Sequence, residues 1–251
     1  MATPQLKNIE EYILAFPEIT QEKLRQIWSI IKENAPEAEE SISYAIPTFK
    51  LKGKPLVYFD NAATTSLDPL VLEAMMPYMT EKFGNPSSIY SYGRETRMAI
   101  EQARKQVAKI LGARPAEIFF TSGGTESSNT VLHAAMENLD CKHIVSSPIE
   151  HHATLHTVSH LAKKYNAKLS LVTILPNGHI DTAHLEQILA TNNEKTIVSI
   201  MHANNEIGNM IDLMEVGAIC KKYNAYFHSD TVQTVGHFPF DLANTPVDFI
   251  T

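Results

Sequence analysis

The stretch "HIVSSPIEHHATLHTVSHLAKKYNAKLSLVTI", residues 143–174, decides how the chain folds. Its ends, "HIVSS" and "KLSLVTI", are short and largely apolar, as buried strands are. Between them "HATLHTVSHLAKKYN" has the spacing of an amphipathic helix. The same alternation continues on both sides. "EIFFTS" is expected as a strand and "TESSNTVLHAAMENL" as a helix. "DTAHLEQILAT" follows as a helix, "TIVSIMH" as a strand, "LMEVGAICKKYN" as a helix and "AYFHSD" as a strand. Apolar strands separated by amphipathic helices predict an α/β fold, a mostly parallel sheet covered by helices on both faces.

In such sheets ligands sit at the carboxyl ends of the strands, so the residues that follow each strand carry the information. They are Ser122-Gly123-Gly124-Thr125, Glu150-His151, Asn204-Asn205-Glu206 and Asp230 with Gln233. The glycine turn leads straight into a helix, whose first N–H groups and positive dipole end suit a phosphate. It is neither a spaced GxGxxG nor a Walker A loop. His151 falls at the same sheet edge, where an imidazole can stack on a planar ring and move protons near neutral pH. His152, His156 and His160 share one helix face. No carboxylate or cysteine completes a metal set nearby and HExxH is absent, so a solvated stripe is expected and no metal site.

Asp230 ends the otherwise apolar run begun by Tyr226-Phe227. An ionised carboxylate there costs several kcal/mol unless a cation meets it. A protonated ring nitrogen is one such cation, and the amide of Gln233, three residues on, could donate to a ring oxygen. A phosphate at a helix start, a stacking imidazole and an acid for a pyridinium together describe pyridoxal 5′-phosphate.

The bulk properties agree with a globular protein of this kind. The 251 residues are 44% hydrophobic and 20% charged, and the net charge is -7. That balance offers no general affinity for nucleic acid or anionic membrane. No apolar run is long enough to cross a bilayer, and the start lacks a secretory pattern. The two cysteines, Cys141 and Cys220, form no CxxC pair, which predicts a reducing, cytoplasmic setting.

A seam is expected near residue 57, dividing a small N-terminal α+β appendage, 1–56, from a large domain, 57–251. Before it, Ile9, Tyr12, Ile13 and Phe16 share a short helical face that Pro17 ends. Thr20 is expected to cap a second helix bearing Leu24, Ile27, Trp28 and Ile31, closed by "NAPEAEE". Short strands should follow, with turns at Pro47 and at Lys52-Gly53-Lys54. This stretch, "YILAFPEITQEKLRQIWSIIKENAPEAEESISYAIPTFKLKGKPLVYF", resembles the beginning of the small YdhG-like proteins described as iron chaperones. The rest of that domain has no counterpart here, and an appended segment without a function of its own is the plainer reading.

After the seam the chain resembles the NifS/IscS-type cysteine desulfurases, of the class V aminotransferase group and fold type I. The matching segments are "VYFDNAATTSLDPLVLEAMMPYM", "FGNPSSIYSYGRE", "EIFFTSGGTESSN", "EHHATL", "VSIMHANNEIG" and "HSDTVQTVGHFPFDL". The resemblance implies pyridoxal 5′-phosphate as cofactor, L-cysteine as substrate, and alanine and an enzyme persulfide as products. The sulfur would serve iron–sulfur clusters or thiolated nucleosides. A homodimer and a sulfur-accepting or scaffold protein are the implied partners. By position, Gly124 and Thr125 would contact the phosphate, and His151 would stack on the ring as acid/base. Asn205 would lie beside the ring oxygen, Asp230 would pair with the ring nitrogen, and Gln233 with the phenolic oxygen. The family's cofactor-linking lysine, in a Ser-x-His-Lys motif, and its nucleophilic cysteine belong beyond the segment matching "VDFIT". A C-terminally truncated, inactive chain is therefore expected. The alternatives are a non-catalytic accessory or iron-binding module of iron–sulfur metabolism, and another class V aminotransferase or a selenocysteine lyase.

Overall fold

A computed structural model describes residues 8–43, 46–55 and 61–251. The chain divides into two compact units, Met1–Ser66 and Leu67–Thr251.

In the first unit, helix α1 (Ile9–Leu14) starts at Asn8, whose side chain accepts the Glu11 amide at 2.8 Å. Ile9 and Ile13 are buried, and the Tyr12 and Phe16 rings lie 5.0 Å apart. Helix α2 (Glu18–Asn34) begins earlier than expected. Pro17 is its N-cap, so Thr20 lies inside the first turn and donates its amide to Pro17 O at 2.9 Å. The Pro17 carbonyl accepts both the Thr20 and the Gln21 amides, so the first turn closes without a side-chain cap. Strands β1 (Glu39–Ser43), β2 (Ile46–Leu51) and β3 (Lys54–Pro55) form an antiparallel sheet in that order.

The turn expected at Pro47 is not there: Pro47 sits within β2, paired with Ile42. Among the described residues β3 pairs only with Lys50 and Leu51, which leaves Pro47 without a described ladder partner on that side, a position where a residue lacking an N–H is tolerated. The second turn holds as read. Leu51 pairs with Lys54 across Lys52 and Gly53, both at positive φ (53° and 77°), as a tight two-residue hairpin requires.

The second unit opens with α3 (Pro69–Thr80) and α4 (Ser91–Leu111), followed by a 3-10 turn at Pro115–Glu117. The α/β alternation then runs α5 (Gly124–Glu137), β4 (His143–Ser146), α6 (His152–Lys164), β5 (Lys168–Leu171) and α7 (Thr182–Ala190). It continues with β6 (Thr196–Ser199), α8 (Leu213–Lys222), β7 (Tyr226–Ser229) and β8 (Phe249–Ile250). The five strands pair in parallel in the order β5-β4-β6-β7-β8.

Successive residues of β4 and β6 serve opposite faces, which is why both read as unbroken apolar runs. Ile144 and Ile197 pack with Leu132, Met136, Val158 and Leu161 of α5 and α6. Val145 and Val198 join Phe227 and the α7–α8 residues Leu185, Leu189, Val216 and Cys220 on the other side.

One expected strand is absent. In "EIFFTS", Glu117 closes the 3-10 turn and the residues after it pair with no strand among the described residues, with Phe119 80% and Phe120 53% exposed. The Arg104 guanidinium lies 4.9 Å from the Phe120 ring and donates to Ile118 O. A β-prone segment becomes a strand only where a neighbour supplies the ladder, and none of the described residues does so here.

The starts of α3, α7 and α8 are capped by the short acids Asp68, Asp181 and Asp212. Asp212 accepts the amides of Met214 at 2.8 Å and Glu215 at 3.4 Å at the start of α8. Asp212→Ala should lower unfolding free energy by about 1 kcal/mol in urea titrations. An unchanged midpoint would show that α8 is held by its packing alone.

Candidate active site

Three loops converge beyond the carboxyl ends of β4, β6 and β7, joined by hydrogen bonds that run across the sheet. Asn204 Nδ2 donates to Ile149 O at 2.7 Å, tying the β6 loop to the β4 loop. His202 N donates to Asp230 O at 2.8 Å, tying it to the β7 loop. Thr231 N in turn reaches Thr251 O, just past β8, at 2.7 Å. Parallel strands in register deliver these loops to one rim, which is how residues far apart in sequence meet.

Helix α5 enters the rim from the glycine turn. A Cβ placed on Gly124 would stand 2.5 Å from Val232 Cγ2, so glycine is needed for the helix start to lie against the Asp230–Gln233 turn. The geometry of the first turn leaves the Gly124, Thr125 and Glu126 amides without intrahelical acceptors. Glu126 folds back to accept the Ser122 amide at 2.6 Å, a bond that holds its carboxyl below the usual range. The chain thus presents N–H groups of the Gly124-Thr125 segment at a positive helix end, a geometry that suits an anionic group.

Asp230 occupies the β7 end of the rim. Its Oδ1 accepts the Val232 amide at 3.1 Å, so it also closes its own turn. Burial pushes its carboxyl above the ordinary value, against that hydrogen bond and the nearby His151. No lysine or arginine among the described residues forms an ion pair with it. A half-buried acid therefore lies near an imidazole, with no lysine or arginine paired to it among the described residues.

His151 is the N-cap of α6, and its Nδ1 accepts the Ala153 amide at 3.2 Å. That bond leaves the proton of the neutral ring on Nε2, the nitrogen free to exchange it. Its ring is exposed and lies 6.2 Å from that of His152. The His152 and His156 rings are 5.8 Å apart, yet no cluster of metal-binding side chains forms among the described residues.

The structure brings His151, Asp230 and the Gly124-Thr125 helix start to this rim, with Gln233 half-buried on the turn after Asp230. Asn205 stands on the β6 loop with its amide bonded to Glu206 Oε1 at 2.8 Å. Its neighbour Asn204 builds that loop. Buried, it accepts the Glu206 and Ile207 amides at 2.8 and 3.0 Å, besides its bond to Ile149.

The sequence places Asn204 and Glu150 at strand ends without assigning either a role, which the structure supplies: Asn204 organises its loop, and Glu150 is a buried acid. Glu150 is only 4% exposed, and burial pushes its carboxyl up to about 8. The available signal was an acid at a strand end with no lysine or arginine beside it. Both cysteines are excluded from the rim's chemistry. Each is buried in a core cluster, which drives the Cys141 thiol up to about 11 and the Cys220 thiol to about 12.

Residues 57–251 match the family model described as aminotransferase class-V. The chain is similar to a protein named cysteine desulfurase IscS from Dictyoglomus turgidum, 46% identical over 78% of this chain and 49% of that relative. The chain spans about half the length of the curated relatives it matches. Among solved structures, one titled NifS-like protein is 41% identical with a TM-score of 0.72, covering 77% of this chain and 53% of its own. Another, titled SspA in complex with cysteine, is 31% identical with a TM-score of 0.72, over 77% of this chain and 56% of its own.

Proposed function

The chain belongs to the class V aminotransferase family, and from that premise we propose that residues 57–251 are the cofactor domain of a pyridoxal 5′-phosphate-dependent cysteine desulfurase. The observation that carries this is Asp230: a carboxylate desolvated at the rim of a parallel sheet, without a lysine or arginine partner among the described residues, beside a helix start built for phosphate. Members of the family use this cofactor, and its pyridinium and phosphate match those two features. Residues 1–56 are an appended segment in this reading.

When bound, the cofactor supplies an electron sink for an amino-acid substrate. The chain's own residues would do the rest. Gly124 and Thr125 would hold the phosphate through backbone N–H groups. Asp230 would keep the ring nitrogen protonated by pairing with it. Gln233 and Asn205 would donate to the ring oxygen, which sets the ring's tilt. His151 would stack on the ring's face and exchange a proton at Nε2, the Ala153 amide holding Nδ1 as an acceptor.

L-cysteine is the substrate in this reading, supported by the names of the relatives and by the cysteine complex of a related structure. Alanine would be released and the sulfur passed to a thiol. Neither Cys141 nor Cys220 serves as that thiol, since both are buried and held protonated. Two free buried thiols fit a reducing, cytoplasmic compartment, and no helix among the described residues is long and apolar enough to cross a membrane. The apolar helix α3, with Leu70 74% and Met79 67% exposed, supports burial of this face against further polypeptide, such as a second copy.

Pyridoxamine 5′-phosphate tests the reading, because it carries the ring and phosphate but needs no lysine. The chain should bind it saturably by fluorescence titration, with inorganic phosphate competing and a shifted phosphorus resonance on binding. Failure to saturate would remove the cofactor assignment.

A further inference from the structure

Glu150 lies directly before His151, and its side chain is buried. Its Oε1 accepts the Ser147 hydroxyl at 2.6 Å and the Met201 amide at 3.0 Å. Ser147 belongs to the β4 loop and Met201 to the β6 loop, so one oxygen clamps two strand ends together. The bond from Asn204 Nδ2 to Ile149 O at 2.7 Å crosses the same gap. Oε2 is buried and meets no hydrogen-bonding protein group among the described residues. Buried carboxylates are ordinarily paired or fully hydrogen-bonded, and this one has neither arrangement.

The residues adjoining this clamp are the ones proposed to touch the ring. His151 follows Glu150 in sequence, and Asn205 follows the Met201–Asn204 segment. We propose that Glu150 is a positioning residue of the cofactor site, its carboxyl group holding the loop that bears His151 in fixed relation to the loop that bears Asn205. This rests on the cofactor reading given above.

The clamp works as the neutral acid. Burial disfavours the charged form, and Asp230, the charged group that faces Glu150, disfavours it further. The hydrogen bonds from Ser147 and Met201 act in the opposite direction without overcoming burial. A neutral Glu150 leaves the negative charge with Asp230, where a pyridinium needs it, and avoids two like charges in one partly desolvated space.

The test compares Glu150→Gln, Glu150→Ala and the parent, all titrated with pyridoxamine 5′-phosphate. Gln keeps an acceptor for both bonds and stays neutral, so its affinity should remain within about threefold of the parent. Ala removes both bonds and should weaken binding about tenfold or more. In the ligand-free proteins, amides in 151–153 and 201–207 should exchange faster in Ala but not in Gln. If Ala does not fold, Glu150→Asp, whose arm is one methylene shorter, should show the same losses. An Ala or Asp variant that binds and exchanges like the parent would overturn the role of Glu150 alone. Equal losses in Gln and Ala would show that the charge, and not the clamp, matters, and would also overturn it. A parent that takes up no probe would overturn the cofactor reading and this role with it.

Discussion

Replacing Asp230 with asparagine is expected to stabilise the ligand-free protein and to weaken pyridoxamine 5′-phosphate binding about tenfold or more. The two effects have one cause. Burial holds the Asp230 carboxyl above its ordinary value, so its ionised form costs free energy at neutral pH until a cation arrives. Asparagine keeps an oxygen for the Val232 amide and removes the charge. The apo gain should appear as a rise of a few degrees in melting temperature. The bound state loses a charge-assisted bond to the ring nitrogen. In the parent, ligand at a hundredfold excess over Kd adds about 2.7 kcal/mol, and the variant should forfeit most of that shift. Thermal melts of both proteins, with and without ligand, separate the possibilities. If the asparagine variant melts lower when empty and responds to ligand as the parent does, Asp230 is a structural acid closing its own turn.

Stability should pass through a maximum near pH 6, because buried groups of opposite kind limit it on either side. His228 is fully buried, its Nδ1 2.9 Å from Ser199 Oγ and its Nε2 3.1 Å from Thr251 Oγ1. Burial lowers it from 6.5 to about 4. Between those values the unfolded chain takes up a proton that the folded chain refuses. The stability present above about 6.5 is therefore lost as pH falls through about 4, on the order of 3 kcal/mol for this residue. Burial likewise lowers His143 to about 4 and shifts His202 in the same direction.

Glu150 acts in the opposite sense, raised from 4.5 to about 8. Its contribution is complete below about 4.5 and is lost as pH rises through about 8. Urea unfolding from pH 4.5 to 8.5 measures both limbs. Glu150→Gln should flatten the basic limb and steepen the rise between pH 4.5 and 6.5, where Glu150 opposes the histidines, and His228→Gln should soften the acid limb. A parent curve that is level between pH 4.5 and 6.5 would contradict the buried-histidine account.

Much of the site was legible in the chain because its signals are local. A glycine pair followed by Thr125, a histidine after an apolar run and an acid three residues before Gln233 each report on the turn that they occupy. The helices from α5 to α8 were equally legible, since a 3.6-residue repeat within one helix depends on nothing distant. So were β4 and β6, whose unbroken apolar runs state that both faces are covered. Thr20 and Pro47 misled because the same residue types serve as caps, turns or edge positions according to their neighbours.

What the sequence determined by itself is the parallel α/β alternation and the set of residues at its strand ends. Only the tertiary structure decided the strand order β5-β4-β6-β7-β8, and with it which loops share a rim. It also decided that "EIFFTS", as β-prone as any true strand here, stays unpaired. Neither outcome is written in a window of ten residues, because a strand is completed by hydrogen bonds from elsewhere in the chain. The same holds for the acids. Asp230 and Glu150 carry identical groups and both follow strands. One lies near His151, and the other is buried and clamps two loops. The free energy of a carboxylate is set by the water and dipoles around it, and those are supplied by residues that meet only when the sheet has formed.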